Sequence, residues 1–91
     1  MSKDKAPKGW HDLRSHMCGY IGKRLKYMAK HGHGHPFDVE YDVWTDALFK
    51  HGTVLSNHAE KDGSGRAEDD DFAAAKESLR WVADNLERLW D

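Results

Sequence analysis

Three stretches of the chain repeat their apolar residues at helical spacing, and two polar, glycine-containing breaks separate them. In residues 10–30, Trp10, Leu13, Met17, Tyr20, Ile21 and Met28 share one face when successive residues are set about 100° apart. Lys23, Lys26 and Lys30 gather opposite. Gly19 and Gly22 fall off the apolar face, where each costs the helix about 1 kcal/mol relative to Ala, so this helix depends on packing. Residues 38–60 carry a second stripe of Trp44, Ala47, Leu48, Val54 and Leu55, with Asp38, Glu40 and Asp42 at the end where the helix dipole favours negative charge. Residues 69–90 hold the most regular stripe: Phe72, Ala75, Leu79, Val82, Leu86 and Leu89 alternate steps of three and four, as in a coiled-coil seam. Asp69, Asp70 and Asp71 suit its N-terminal cap.

The breaks are residues 31–36, His-Gly-His-Gly-His-Pro, and residues 61–66, Lys-Asp-Gly-Ser-Gly-Arg, the second a flexible turn. Both are short, so neighbouring helices should be antiparallel. The expectation is an all-α fold, a small three-helix up-down-up bundle occupying residues 10–91 behind a flexible N-terminal arm of residues 1–9. No internal repeat and no strand-like alternation competes with it.

Several residues break these patterns. His51 and His58 project from the middle of the second stripe, as core histidines with one hydrogen-bond partner each or as a pH-sensitive pair. They lie roughly 10 Å apart along the helix at ~1.5 Å rise per residue, too far to share one zinc ion, whose ligands sit at ~2 Å. Arg24 falls within the first stripe. Its stem should pack while its head reaches an acid such as Glu40 or Asp46, or it belongs to a subunit interface. Trp81 points about 140° from the centre of the third seam, among Glu77, Ser78, Asp84 and Asn85. Phe49 is likewise off-stripe on the second helix. Such rings must be covered by the same chain or by a partner.

Composition narrows the function classes. The 91 residues allow one domain with a thin core, and mean hydropathy of -0.90 is that of a soluble protein. No apolar run reaches the ~18 residues of a membrane span, and the charged start has no apolar segment behind it to read as a signal peptide. The single Cys18 excludes an internal disulfide framework and fits a reducing, cytoplasmic setting. The formal charge of -2 is divided: residues 1–35 hold eight Lys/Arg against two acids, and residues 36–91 hold six against fourteen. A basic third beside an acidic remainder can pair internally or show one sign to a partner.

Candidate chemistry is sparse. His31, His33 and His35 alternate with glycine and could converge on Zn²⁺ or Ni²⁺, with Asp38 as a fourth ligand, although His-rich tracts often bind such ions adventitiously. No cofactor is otherwise expected. Catalysis lacks a constellation: Cys18 and His16 point in different directions on a helix, and there is no phosphate-binding glycine loop, no His-Glu-x-x-His and no Glu-x-x-His.

The stretches His35-PFDVEYDVWTDALFKHGTVL-Ser56 and Glu77-SLRWVADNLERLW-Asp91 resemble the small, Trp- and Asp-rich orphan proteins of actinobacterial phages. The resemblance implies a non-catalytic protein in the host cytoplasm that binds a host or viral protein, and it transfers no site residues. The reading that follows is a non-enzymatic helical module acting by protein–protein contact through Trp81, Phe49 and Arg24, as a homodimer or small oligomer. A nucleic-acid-binding module using Lys23, Lys26, Lys30 and the Lys3, Lys5 and Lys8 arm is the first alternative. Metal binding through His31, His33 and His35 is the second.

Overall fold

The computed structural model describes residues 6–90, which form three helices: α1 (Leu13–His31), α2 (Tyr41–Gly63) and α3 (Asp69–Asp84). Single 3₁₀ turns precede α1 at Trp10–Asp12 and follow α3 at Leu86–Arg88. No strand occurs among the described residues, and the protein is a small all-α three-helix bundle. Five residues of the expected N-terminal arm, Lys3 and Lys5 among them, and Asp91 lie outside the described residues.

Partners along the helices run in opposite order, which makes both neighbouring pairs antiparallel. Ser15 meets Asp62, Gly19 meets Ala59 and Gly22 meets Gly52 between α1 and α2. Phe72 meets His58 and Ser78 meets His51 between α3 and α2. α2 is therefore the middle element, and α3 packs mainly on α2, meeting α1 where the Arg14 guanidinium lies 5.1 Å over the Phe72 ring. The core reflects this: Trp44, Leu48 and Leu55 of α2 are buried with Cys18 and Leu25 of α1 and Ala75 of α3. The second stripe is thus where the spacing places it, with His51 and His58 buried inside it.

The first helix is rotated from expectation. Its buried residues are Cys18, Gly22 and Leu25, whereas Trp10, Leu13 and Tyr20 are exposed. The reason is that α1 approaches α2 through small residues. A Cβ on Gly22 would lie 2.6 Å from the Ser56 backbone nitrogen and 2.8 Å from the Gly52 oxygen. A Cβ on Gly52 would lie 2.8 Å from the Gly22 oxygen. The two glycines are the point of closest backbone approach, and the face expected to be their liability is the interface itself. One end of this interface is fastened by Asp62, whose side chain is 7% exposed and accepts hydrogen bonds from Arg14 Nε at 2.8 Å and Ser15 Oγ at 3.1 Å.

The helix ends also have local causes. Gly32, Gly34 and Pro36 stop α1, and a turn closed by Val39 N–H on the Pro36 carbonyl delays α2 to Tyr41. The second break is shorter than expected because Lys61–Gly63 continue α2. Gly65, at φ 76°, then closes the helix, with its own N–H on the Asp62 carbonyl and the Arg66 N–H on that of Lys61. At the start of α3, Asp71 accepts the Glu68 N–H at 3.0 Å and pairs with Lys61 at 3.1 Å. Both contacts hold the Asp71 carboxyl below its usual pKa.

α3 stops at Asp84, short of the expected residue 90. The Asn85 side chain donates to the Trp81 carbonyl at 2.9 Å, and the chain turns away into the 3₁₀ segment. Leu86 consequently leaves the seam and is exposed, while Leu89 still packs against the core.

Candidate functional site

Trp81 is not a free binding residue. α3 faces α2 through Ala75 and Ser78, both small and buried, which turns Trp81 inward. Its ring stacks on His51 at 4.6 Å between centroids and 20° between planes, and lies 5.5 Å from the Trp44 ring. His51 completes the cluster with a 2.9 Å hydrogen bond between Nδ1 and the Ser78 hydroxyl. His51 is thus a satisfied core histidine. His58 differs: its buried Nδ1 has no hydrogen-bond partner among the described residues, and its ring meets the Phe72 edge at 4.6 Å.

Burial pushes the His51 pKa below its ordinary value of 6.5, Lys50 adds to that, and Glu77 opposes it. A histidine whose folded pKa is lowered takes up its proton in the unfolded chain first. Its stability contribution is therefore complete above pH 6.5 and is lost as pH falls from there through the folded pKa. Urea unfolding at stepped pH should show stability declining below about 6.5, and His51→Gln should flatten that decline. An unchanged slope in the variant would remove His51 as its source.

Arg24 does not insert into the core or reach Glu40 or Asp46. With α1 rotated, it is exposed, its guanidinium 3.5 Å over the Tyr20 ring and its Nη1 donating to the Tyr20 carbonyl. Phe49 is exposed as expected. It lines a groove of about 750 Å³ between α1 and α2 together with Lys23, Lys26 and Lys30, so residues chosen for two different reasons meet at one place. Tyr27, inconspicuous in the sequence, lies in the same groove with its ring 4.3 Å from that of His31.

The histidine loop does not gather its side chains. His31 closes α1 against Tyr27, whereas the His35 Nδ1 lies 2.7 Å from the Val39 carbonyl and 3.0 Å from that of Pro36. Among the described residues no group of three His, Cys, Asp or Glu side chains is placed to hold a metal ion. The Cys18 thiol is buried, and burial followed by the nearby Asp62 carboxylate pushes its pKa up, away from the thiolate form that attacks substrates or binds metals.

Sequence reasoning missed a cleft beside the histidine loop. The Arg88 guanidinium donates to the Asp38 carboxylate at 3.0 Å and ties the segment after α3 to the loop between α1 and α2. Phe37, 99% exposed, and Trp90, 76% exposed, both line a cleft of about 350 Å³ there, together with Pro36 and His35. The available signal was an aromatic directly after the loop proline and outside every helical stripe. No helix among the described residues is long and apolar enough to cross a membrane. No family model, curated protein or solved structure matches the chain, which leaves its own surface as the guide to function.

Proposed function

We propose that the chain is a non-enzymatic module that works by protein–protein contact, and that the Phe37–Trp90 cleft is its contact face. One observation carries this reading: two large, highly exposed aromatics line one cleft, whose two sides are tied together by the Arg88–Asp38 ion pair. Trp and other aromatics dominate binding hot spots, and covering two rings at one face is a large gain for a partner to collect. The cleft supplies a polar rim in Asp38, Glu87 and Arg88 around that aromatic centre, the usual anatomy of a contact patch. A second copy of the chain or a host or viral protein would be covered by the same chemistry, and the likeness to phage proteins directs the search to the host cytoplasm.

The test is light scattering over a concentration series to about 100 µM, joined to site-specific photo-crosslinking from position 37 in cells. Hot-spot truncations cost at least 2 kcal/mol each, so Phe37→Ala and Trp90→Ala should each weaken association or the discrete adduct about thirtyfold or more. Both residues are exposed, so circular dichroism and melting temperature should stay as in the wild type. A wild type that is monomeric and yields no discrete adduct sinks the reading.

A further inference from the structure

The groove between α1 and α2 has a different chemistry. α1 contains five Lys/Arg and no carboxylate. Among the described residues the ion pairs engage Arg14, Lys61 and Arg88 and leave Lys23, Arg24, Lys26 and Lys30 without a carboxylate partner. Acids are plentiful in this chain, yet of the groove's lining only Asp46 is acidic, against three lysines. Concentrated like charge costs stability unless a ligand of opposite sign neutralises it.

Aromatic rings stand among these cations. Tyr27 and Phe49 line the groove and are 67% and 57% exposed. Two turns before Tyr27, the exposed Tyr20 ring carries the Arg24 guanidinium at 3.5 Å. Lysines alone fit any polyanion. Exposed rings set between them fit a polyanion that also offers flat apolar faces, which is a strand of unpaired bases. A duplex keeps its bases stacked away from such rings, and an acidic peptide has no such faces in its backbone repeat.

We propose that the α1–α2 groove binds single-stranded nucleic acid, with Lys23, Lys26 and Lys30 on phosphates and Tyr27 and Phe49 stacking on bases. The three lysines rise along α1 in steps of roughly 4.5 and 6 Å at 1.5 Å per residue, so they follow a strand laid along the helix. This site is separate from the Phe37–Trp90 cleft and does not depend on it.

The experiment is fluorescence polarisation of a labelled 15-nucleotide deoxythymidine oligomer with the full chain, at 50–300 mM salt. Log affinity against log salt should fall with a slope of about -2, from three phosphate contacts at ~0.7 each. Lys26→Gln should flatten the slope by about 0.7. Tyr27→Ala and Phe49→Ala should each weaken binding about tenfold, within the range for loss of one stacked base, without changing the slope. An abasic oligomer of equal charge loses both stacks and should bind about a hundredfold more weakly than the deoxythymidine oligomer, with the same slope. Equal binding of the abasic oligomer, of duplex or of polyglutamate would overturn the proposal, as would wild-type affinity in both ring variants or no binding at ~100 µM protein. Circular dichroism of each variant confirms that an altered affinity is not an altered fold.

Discussion

Replacing Gly22 with Ala should cost the protein about 2 kcal/mol and lower its melting temperature by roughly 10 °C. At an ordinary helix position the same change stabilises by nearly 1 kcal/mol, because Ala restricts the unfolded chain and favours the helix. At Gly22 the added methyl meets the Ser56 nitrogen at 2.6 Å and the Gly52 oxygen at 2.8 Å. Neither atom is the tip of a flexible side chain, so α1 and α2 must separate. Separation also loosens Leu25 and Leu55, which pack beside the contact. Overpacking costs about 1–3 kcal/mol, and rigid backbone atoms put this site at the high end. Gly52→Ala should behave alike, since it meets the Gly22 oxygen at 2.8 Å. Gly63→Ala is the control: nothing lies within 4 Å of its Cβ, and its melting temperature should hold or rise. Thermal denaturation of the three variants checks the set. A Gly22→Ala protein as stable as Gly63→Ala would show that the helices do not touch there.

Truncating Trp81 should be more damaging still, by about 3 kcal/mol. The ring is the lid over Trp44 and the stacking partner of His51, so its loss opens a space against both. Large aromatic-to-Ala changes in cores cost about 3–5 kcal/mol; partial exposure of Trp81 places it at the lower bound. For a chain of this size total stability is about 5–10 kcal/mol, so the variant should approach half-unfolding at modest urea. Trp81→Phe should recover much of the loss by keeping a ring on His51. Urea titration followed by far-ultraviolet dichroism measures both. If Trp81→Ala keeps its stability but loses association, the ring works at an interface and does not close the core.

Gly22 and Trp81 are also the residues at which the sequence is hardest to read. The α2 stripe is legible because that helix is surrounded on two sides and its buried positions are large. Trp44, Leu48, His51, Leu55 and His58 all sit where periodicity puts them. The orientation of α1 is hidden because its contact face is made by absence of side chain. Gly22 registers as neutral in any hydrophobic pattern, and Tyr20 and Trp10 outvote it. Trp81 falls off the expected seam for a related reason. A seam centred on leucines as far as Leu89 assumes an unbroken helix, but the Asn85 turn takes Leu86 out of it, and the small Ala75 and Ser78 set the true contact line. The Phe37–Trp90 cleft depends on an ion pair between residues 50 positions apart, Arg88 and Asp38, which no local pattern contains.

The unequal packing of the three helices has a kinetic side. α1 and α2 touch backbone to backbone, whereas α3 lies mainly against α2, through the Trp81–His51–Trp44 cluster, the Phe72–His58 pair and a few small residues, and meets α1 where the Arg14 guanidinium lies 5.1 Å over the Phe72 ring. Opening free energies within one native fold follow such differences. α3 is therefore the helix that detaches at lowest cost, leaving the α1–α2 hairpin standing. Each such opening would bare the indole of Trp44 and the imidazole of His51 for as long as it lasts.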